Sequence, residues 1–371
     1  MLLLVLLFMF ILVINGLDND VHAFFYLWYG NPENDGRYLH WNHEILPHWE
    51  LRINDLYPQI GQRYSPQEGS LHSRYAPLRG TYSSRDAKTL QQQFDDCYRG
   101  GISTIVISWW GKASESYATD TQGVNTDVIL HDIFSAADKD TNNIKIAIHL
   151  EPYPSRTAAS VKDDVAYIID RYGNYSSFFR HNGKPLFYVY DSYHIPAYQW
   201  SDILGKDGAD SLRNTNIDAI FLGLWLDSSH GRDLLESGFD GIYTYFASDG
   251  FSYGSTIKNF PYITKFCRKN NLICNLSVGP GYDDTKIRPW NSQNSKSRND
   301  GKYYKNMFEK AIDAKPNIIS ITSFNEWGEG TQIEPAVEKE GFLDYGDGGT
   351  YKYIDITKEY VSTFKIKRDE L

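Results

Sequence analysis

Eight short β-prone runs, each followed by a stretch with helical periodicity, set the strongest limit on how this chain can fold. The runs fall at 24–29 (FFYLWY), 104–110 (TIVISWW), 145–151 (KIAIHLE), 185–191 (PLFYVYD), 219–226 (AIFLGLWL), 241–247 (GIYTYFA), 272–279 (LICNLSVG) and 318–326 (IISITSFNE). Helical patterns occupy 86–99, 126–139, 158–171, 198–213, 231–237, 257–270, 301–314 and 351–364. Asp86 reads as a helix start and Gly100-Gly101 as a stop. Eight β/α units in 371 residues predict an α/β fold, a single (β/α)₈ barrel. No tandem repeat, low-complexity segment or Pro/Gly/Ser linker divides it.

Side-chain alternation then assigns faces. In 145–151, Ile146, Ile148 and Leu150 oppose Ala147, His149 and Glu151; in 219–226, Ile220, Leu222, Leu224 and Leu226 oppose Ala219, Phe221, Gly223 and Trp225. In 318–326, Ile319 and Ile321 oppose Thr322, Phe324 and Glu326. The expectation is that aliphatic faces meet the helices and that the small, polar and aromatic faces point into the barrel. The stretch 30–85 is long for a βα connection and carries HWNHEILPHWE and SRYAPLRGTYSSRD, which suits a loop folded over the mouth of the barrel.

The two ends read as an address. The apolar run 2–14 is too short to span a bilayer and has the length of a signal-peptide core, so 1–16 is expected to be a leader and 17–366 the catalytic domain. Residues 367–371 end in Arg368-Asp369-Glu370-Leu371, a variant of the KDEL retrieval signal, which predicts residence in the endoplasmic reticulum lumen and a retrieval receptor as partner. A signal anchor is the alternative for the N-terminus. The sequon at Asn174 is available for glycosylation, whereas that at Asn275 falls inside the predicted barrel and is expected to be bare. Cys97, Cys267 and Cys274 read as buried free thiols. A net charge of −10 argues against nucleic acid and against a polybasic membrane patch. With 28 Tyr and 9 Trp, the chain is rich in flat amphipathic rings that suit the C–H faces of sugars, or simply a tyrosine-rich core.

Barrel active sites sit at the C-terminal ends of the strands, which here carry Tyr29, Trp110, Glu151, Asp191, Tyr245 and Glu326. A cleft with two carboxylates and several aromatics is what glycoside hydrolysis requires. The densest signal is Ser323-Phe324-Asn325-Glu326-Trp327-Gly328-Glu329, where Glu326 ends the eighth run facing inward and Glu329 follows in a Gly-rich loop able to bend back to the same cleft. Many barrel glycosidases with a covalent nucleophile carry acids on strands four and seven; here run four ends in Asp191, but run seven ends in SVGPG.

NEWGEGTQIE, together with FFYLWYGNP, HWNH, YSSRD, HLEPY, YVYDSY, GFDGIYTYFA, SVGPGY and IRPWN, resembles glycoside hydrolase family 99, the endo-α-1,2-mannosidases and endomannanases. The resemblance runs from about residue 22 to 334. It implies a retaining (β/α)₈ enzyme without metal or other cofactor. It also implies roles for the pair: Glu326 as base on the mannose 2-hydroxyl, which forms a 1,2-anhydro sugar, and Glu329 as the acid that protonates the departing oxygen and then activates water. Substrate contacts are expected from Tyr29, Trp110, His149, Glu151, Tyr243, Tyr245, Arg288, Asn325 and Trp327. For some of these a structural role stands open: a bonded pair for His149 and Glu151, packing for Tyr243, loop bracing for Arg288. Tyr245 could bond a catalytic carboxylate. His40 and His43 lack carboxylate ligands at metal-site spacing. The substrates implied are N-linked high-mannose glycans of glycoproteins. Trp110 falls where family members acting on mannan look to have Trp and vertebrate members preferring glucose look to have Tyr, so glucose and mannose both remain open for the outer subsite. A lectin that binds the same arm without cutting is the rival from another class, and it would not need both Glu326 and Glu329.

Overall fold

The structure, a computed structural model, describes residues 20–369. The leader expected over 1–16 lies outside the described residues, as do Glu370 and Leu371 of the expected tail. Eight parallel strands close a barrel: β1 Asp20–Phe25, β2 Thr104–Trp109, β3 Lys145–Leu150, β4 Lys184–Val189, β5 Ile220–Leu224, β6 Gly241–Tyr243, β7 Ile273–Val278 and β8 Ile318–Ile321. Each strand pairs with the next, β8 returns to β1, and Ile148 of β3 pairs with Phe187 of β4 to complete the ring. Eight main helices alternate with them: α1 Ala87–Gly100, α2 Asp127–Lys139, α3 Ala158–Tyr172, α4 Ala197–Leu204, α5 His230–Glu236, α6 Phe260–Lys269, α7 Lys302–Ala314 and α8 Lys352–Asp369. No helix among the described residues is long and apolar enough to cross a membrane.

Local chemistry sets the helix ends. Asp86 caps α1 by accepting from the N–H groups of Lys88 and Thr89, and Gly101 ends it in the left-handed region. Thr157 and Ser160 form a reciprocal capping box on α3. The helical pattern expected over 198–213 stops at Leu204, because Gly205 and Gly208 leave it. The following turn is instead held by Arg213, which donates to the carbonyls of Leu204, Ala219 and Gly238 and pairs with Asp218 and Asp240. Helix faces are apolar toward the sheet: Ile129, Ile133, Phe134 and Ala137 of α2 are buried, each large side chain contributing about 1.5–3 kcal/mol. The three cysteines are buried free thiols.

Three strands depart from the expected spans. β1 begins at Asp20 rather than 24 and ends before Tyr26, whose backbone N–H and carbonyl are bonded by the Asn325 side chain instead of a neighbouring strand. β6 stops at Tyr243, since Tyr245 takes a positive φ of 57°. β8 stops at Ile321, so Glu326 stands in the loop beyond the strand rather than at its end.

The barrel interior is aromatic and polar. Phe24 packs against His149, Tyr188, Tyr243 and Tyr245. Below it, Tyr188 is bonded to His22 and accepts from Asn275; burial lowers the His22 pKa to about 4, so this layer is neutral. Asn275 is fully buried there, while Asn174 is exposed. The expected face assignment holds for β3, with His149 inside. It is reversed for β5. Leu222 is in register with interior Tyr188 and Leu224 with interior Tyr243, so the aliphatic face points inward. Phe221, Gly223 and Trp225 meet the helix side, where a Cβ on Gly223 would strike Leu234 and Gly231 lies against Trp225. Phe324, expected inside, stacks on Phe25 of the outer face.

The stretch 30–85 folds over the C-terminal face. The Leu46 N–H donates to Ile287 O in the loop after β7, and Ala76–Pro77 pairs with Ala336–Val337 beyond β8.

Candidate active site

The loop after β8 is shaped by its own backbone. The Ser323 N–H donates to Thr331 O at 2.9 Å, closing a loop that contains both Glu326 and Glu329. Ser323 Oγ accepts from the Glu326 N–H at 2.8 Å, and Glu326 Oε1 accepts from the Gly328 N–H at 3.0 Å. Two glycines are required here. A Cβ on Gly328 would lie 2.8 Å from the His72 ring and 3.2 Å from Glu326 Oε1; one on Gly330, already at φ 64°, would press on the Asp283 backbone.

Burial dominates the electrostatics of the pair. Glu326 is 5% exposed, and its carboxyl is pushed well above the ordinary range by desolvation and then by the charge of Glu329. Glu329 is also raised by burial, against which Arg288 acts. Arg288 Nη1 stands 3.2 Å from Glu329 Oε1 and 3.1 Å from Asp284 Oδ2. Asp284 is fixed in turn by Tyr282 Oη at 2.9 Å and by the Asn291 amide. The arrangement holds two carboxyls ready to exchange protons, with one cation on one of them.

The other predicted site residues divide into two groups. Trp110, Glu151, Tyr245 and Arg288 face the mouth. Trp110 is half-buried, its indole N–H donates to Ser108 Oγ, and Ser108 Oγ donates to Glu151 Oε1 at 2.9 Å. Tyr245 does not bond a carboxylate; its hydroxyl lies 2.5 Å from that of Tyr26. Arg288 is engaged with Glu329 as well as bracing its loop.

The second group is structural. Tyr29 Oη donates to Asn325 O and accepts from the Trp327 N–H. Asn325 holds Tyr26, and Trp327 Nε1 donates to Glu334 Oε2. Tyr243 is bonded to His149 Nε2 at 2.8 Å beneath the mouth, and His149 Nδ1 lies 2.9 Å from Glu151. Tyr29, Tyr243, Asn325, Trp327 and His149 are all buried, and each is engaged by these partners within the protein. His40 Nδ1 bonds Asp120 at 2.9 Å, and its ring stacks on Trp28.

Tyr26 is the residue that the sequence reading missed. Its phenol is raised by burial and by Glu151, Glu326 and Glu329 together, placing it among all three carboxylates. It continues the alternation of His22 and Phe24 one residue past the end of β1. Beside Glu329 opens a cavity of about 290 Å³ whose wall includes Tyr190, Tyr245, Phe246, Tyr282, Arg288 and Trp290.

The chain is similar in sequence and shape to known proteins. Residues 16–366 match the profile of Glycosyl hydrolase family 99. A glycoprotein endo-alpha-1,2-mannosidase of Rattus norvegicus is 43% identical over 95% of this chain and 76% of its own length. A glycoprotein endo-alpha-1,2-mannosidase-like protein of Homo sapiens is 41% identical over 95% and 77%. The solved GH99 endo-alpha-mannosidase of Bacteroides thetaiotaomicron superposes with a TM-score of 0.85 at 35% identity, covering 95% of this chain and 99% of that one.

Proposed function

Since the chain belongs to glycosyl hydrolase family 99, we propose that this glycoside hydrolase is an endo-acting α-1,2-mannosidase of high-mannose N-glycans, with Glu326 and Glu329 as its catalytic residues. The observation that carries the assignment is the pair itself: a buried Glu326 and a partly exposed Glu329 on one loop, both raised above their ordinary range, with Arg288 on the second.

The family resemblance supports the following steps for the pair. Glu326 takes the proton of the mannose 2-hydroxyl, and the freed oxygen attacks C1 from the face opposite the leaving group. The C1–O bond breaks, and Glu329 delivers its proton to the departing oxygen. Glu329, now a carboxylate, takes a proton from water; the water oxygen attacks C1, the anhydro ring opens, and Glu326 returns its proton to O2. Two inversions at C1 give net retention. Burial raises the Glu329 carboxyl, the direction a general acid needs, while Arg288 acts against the rise. In the empty site burial holds Glu326 up more strongly, so the base is freed by substrate: a 2-hydroxyl donating to its carboxylate favours the charged form.

Trp110, with its N–H engaged by Ser108 and Glu151 beneath it, suits a platform for the outer sugar, either glucose in a glucosylated arm or mannose. The proposed release is a glucosyl-α-1,3-mannose unit, with further glucoses where the arm carries them. Residence in the endoplasmic reticulum lumen is proposed on the sequence signals alone.

The test is product analysis by mass spectrometry and NMR on a glycan bearing one terminal glucose and on its unglucosylated counterpart. An α-configured glucosyl-mannose from the first alone is the expected result. Mannobiose from both moves the outer subsite toward mannan, and binding without a product favours the lectin. Trp110→Tyr is expected to shift the product ratio toward the glucosylated substrate.

A further inference from the structure

The cavity beside Glu329 continues outward to a pair of tryptophans that the catalytic steps do not use. Trp49, in the long loop after β1, is 75% exposed although it lines this cavity. Its ring meets Trp290, from the loop after β7, edge to face at 5.2 Å and rests on His48 at 3.8 Å. The frame beneath is bonded rather than loose. Trp290 Nε1 donates to Leu46 O at 3.1 Å, the Leu46 N–H donates to Ile287 O at 2.8 Å, and the Glu50 N–H donates to His48 Nδ1 at 2.9 Å. Apolar rings gathered into one exposed patch, unlike those scattered singly, mark a binding surface.

The chemistry of the surroundings selects the ligand. Asn294, whose amide nitrogen donates to Asn291 Oδ1, offers its amide oxygen at the same wall, and Phe251, half exposed, adds a further ring. Exposed flat rings beside side-chain amides match a sugar, with its apolar C–H faces and its ring of hydroxyls. The cavity is walled by Glu329 and not by Glu326, Glu151 or Trp110. Glu329 is the group that gives its proton to the departing oxygen, so sugars entering here belong to the leaving portion.

We propose that Trp49 and Trp290 form a distal subsite that binds mannose residues of the glycan beyond the scissile bond. This rests on the functional reading above for the direction of the chain, but not for the binding itself.

The experiment uses the whole protein, with Trp49→Ala and the conservative Trp49→Tyr. Calorimetry measures binding of the truncated high-mannose glycan that remains after cleavage. Kinetics compare kcat/KM on an intact glycan and on a disaccharide fluoride, whose leaving group carries no sugar. Trp49→Ala is expected to bind the truncated glycan about ten-fold more weakly, the factor corresponding to ~1.4 kcal/mol. Its loss of kcat/KM should be several-fold larger on the intact glycan than on the fluoride, and Trp49→Tyr should recover most of both. Unchanged binding of the truncated glycan, or equal losses on the two substrates, overturns the subsite. A protein that binds the truncated glycan through Trp49 but cuts neither substrate keeps the subsite and removes the catalytic reading.

Discussion

Two carboxylates in one loop, Glu334 and Glu326, are buried to nearly the same degree and are treated in opposite ways. Glu334 is met by donors on every side: Arg79 at 3.2 Å, Gln93 at 2.9 Å, Tyr82 Oη at 2.7 Å and Trp327 Nε1 at 2.9 Å. Its burial raises it, and each of those donors acts against the rise. Among the described residues, the Glu326 carboxylate accepts from a single backbone N–H, that of Gly328, and stands near a second carboxyl that raises it further. Burial therefore does not mark the chemistry. The number of donors does, because a saturated carboxylate has no lone pair to offer a substrate hydroxyl.

The largest expected contrast is catalytic. Glu326→Gln and Glu329→Gln keep the shape of the side chain but remove its proton exchange, so turnover should fall about a thousand-fold or more while the fold persists. Turnover assays paired with circular dichroism melting check this. Near-normal turnover in either variant would remove that residue from the mechanism.

Glu334→Ala should break in the other direction. It leaves the Arg79 guanidinium buried with only Asp96 as its remaining ion partner, and takes an acceptor from Tyr82 and Trp327. A loss of about 3 kcal/mol in stability is expected, as for other broken buried pairs. Denaturant melts measure it. The comparison fails if the variant is as stable as the parent yet inactive, for then Glu334 would act in catalysis.

The contrast also shows what the sequence could and could not say. The barrel was legible because eight alternations of period two and period 3.6 admit few other architectures. That Glu326 and Glu329 come together on one loop was legible too, although Glu326 does not extend β8 as its parity implied. What failed were inferences that need a partner from elsewhere in the chain. The place of Tyr26 was not legible, because nothing local announces that Asn325, some 300 residues away, ends the β1 ladder by bonding it. The faces of β5 were reversed because alternation gives the phase of a strand but not which side is inside. Asn325 and Trp327 were expected as substrate contacts, and nothing local announces that they bond Tyr26 and Glu334.

A smaller effect separates the empty site from the occupied one. The profile of kcat/KM reports the free enzyme and that of kcat the complex. Glu326 must be ionised to act as base, and burial raises it in the free enzyme. A substrate hydroxyl donating to it lowers it again, so the acid limb of kcat should fall at lower pH than that of kcat/KM. Coincident limbs would mean that substrate does not bond Glu326.

The smallest effect is on stability, and its sign runs against ordinary expectation. The folded-state carboxyl of Glu326 is raised above its unfolded value near 4.5. Its contribution is therefore fully present below that value and is lost as pH rises through the folded pKa, because the unfolded chain releases the proton first. Glu326→Gln stays neutral and keeps an amide oxygen to accept the Gly328 N–H. The variant should match the parent near pH 4 and become more stable by on the order of 1 kcal/mol toward neutral pH. Glu334→Gln carries no such gain, since it also gives up the charge that Arg79 requires. Melting both variants across that range distinguishes a carboxylate held at a cost for its chemistry from one that the fold itself needs.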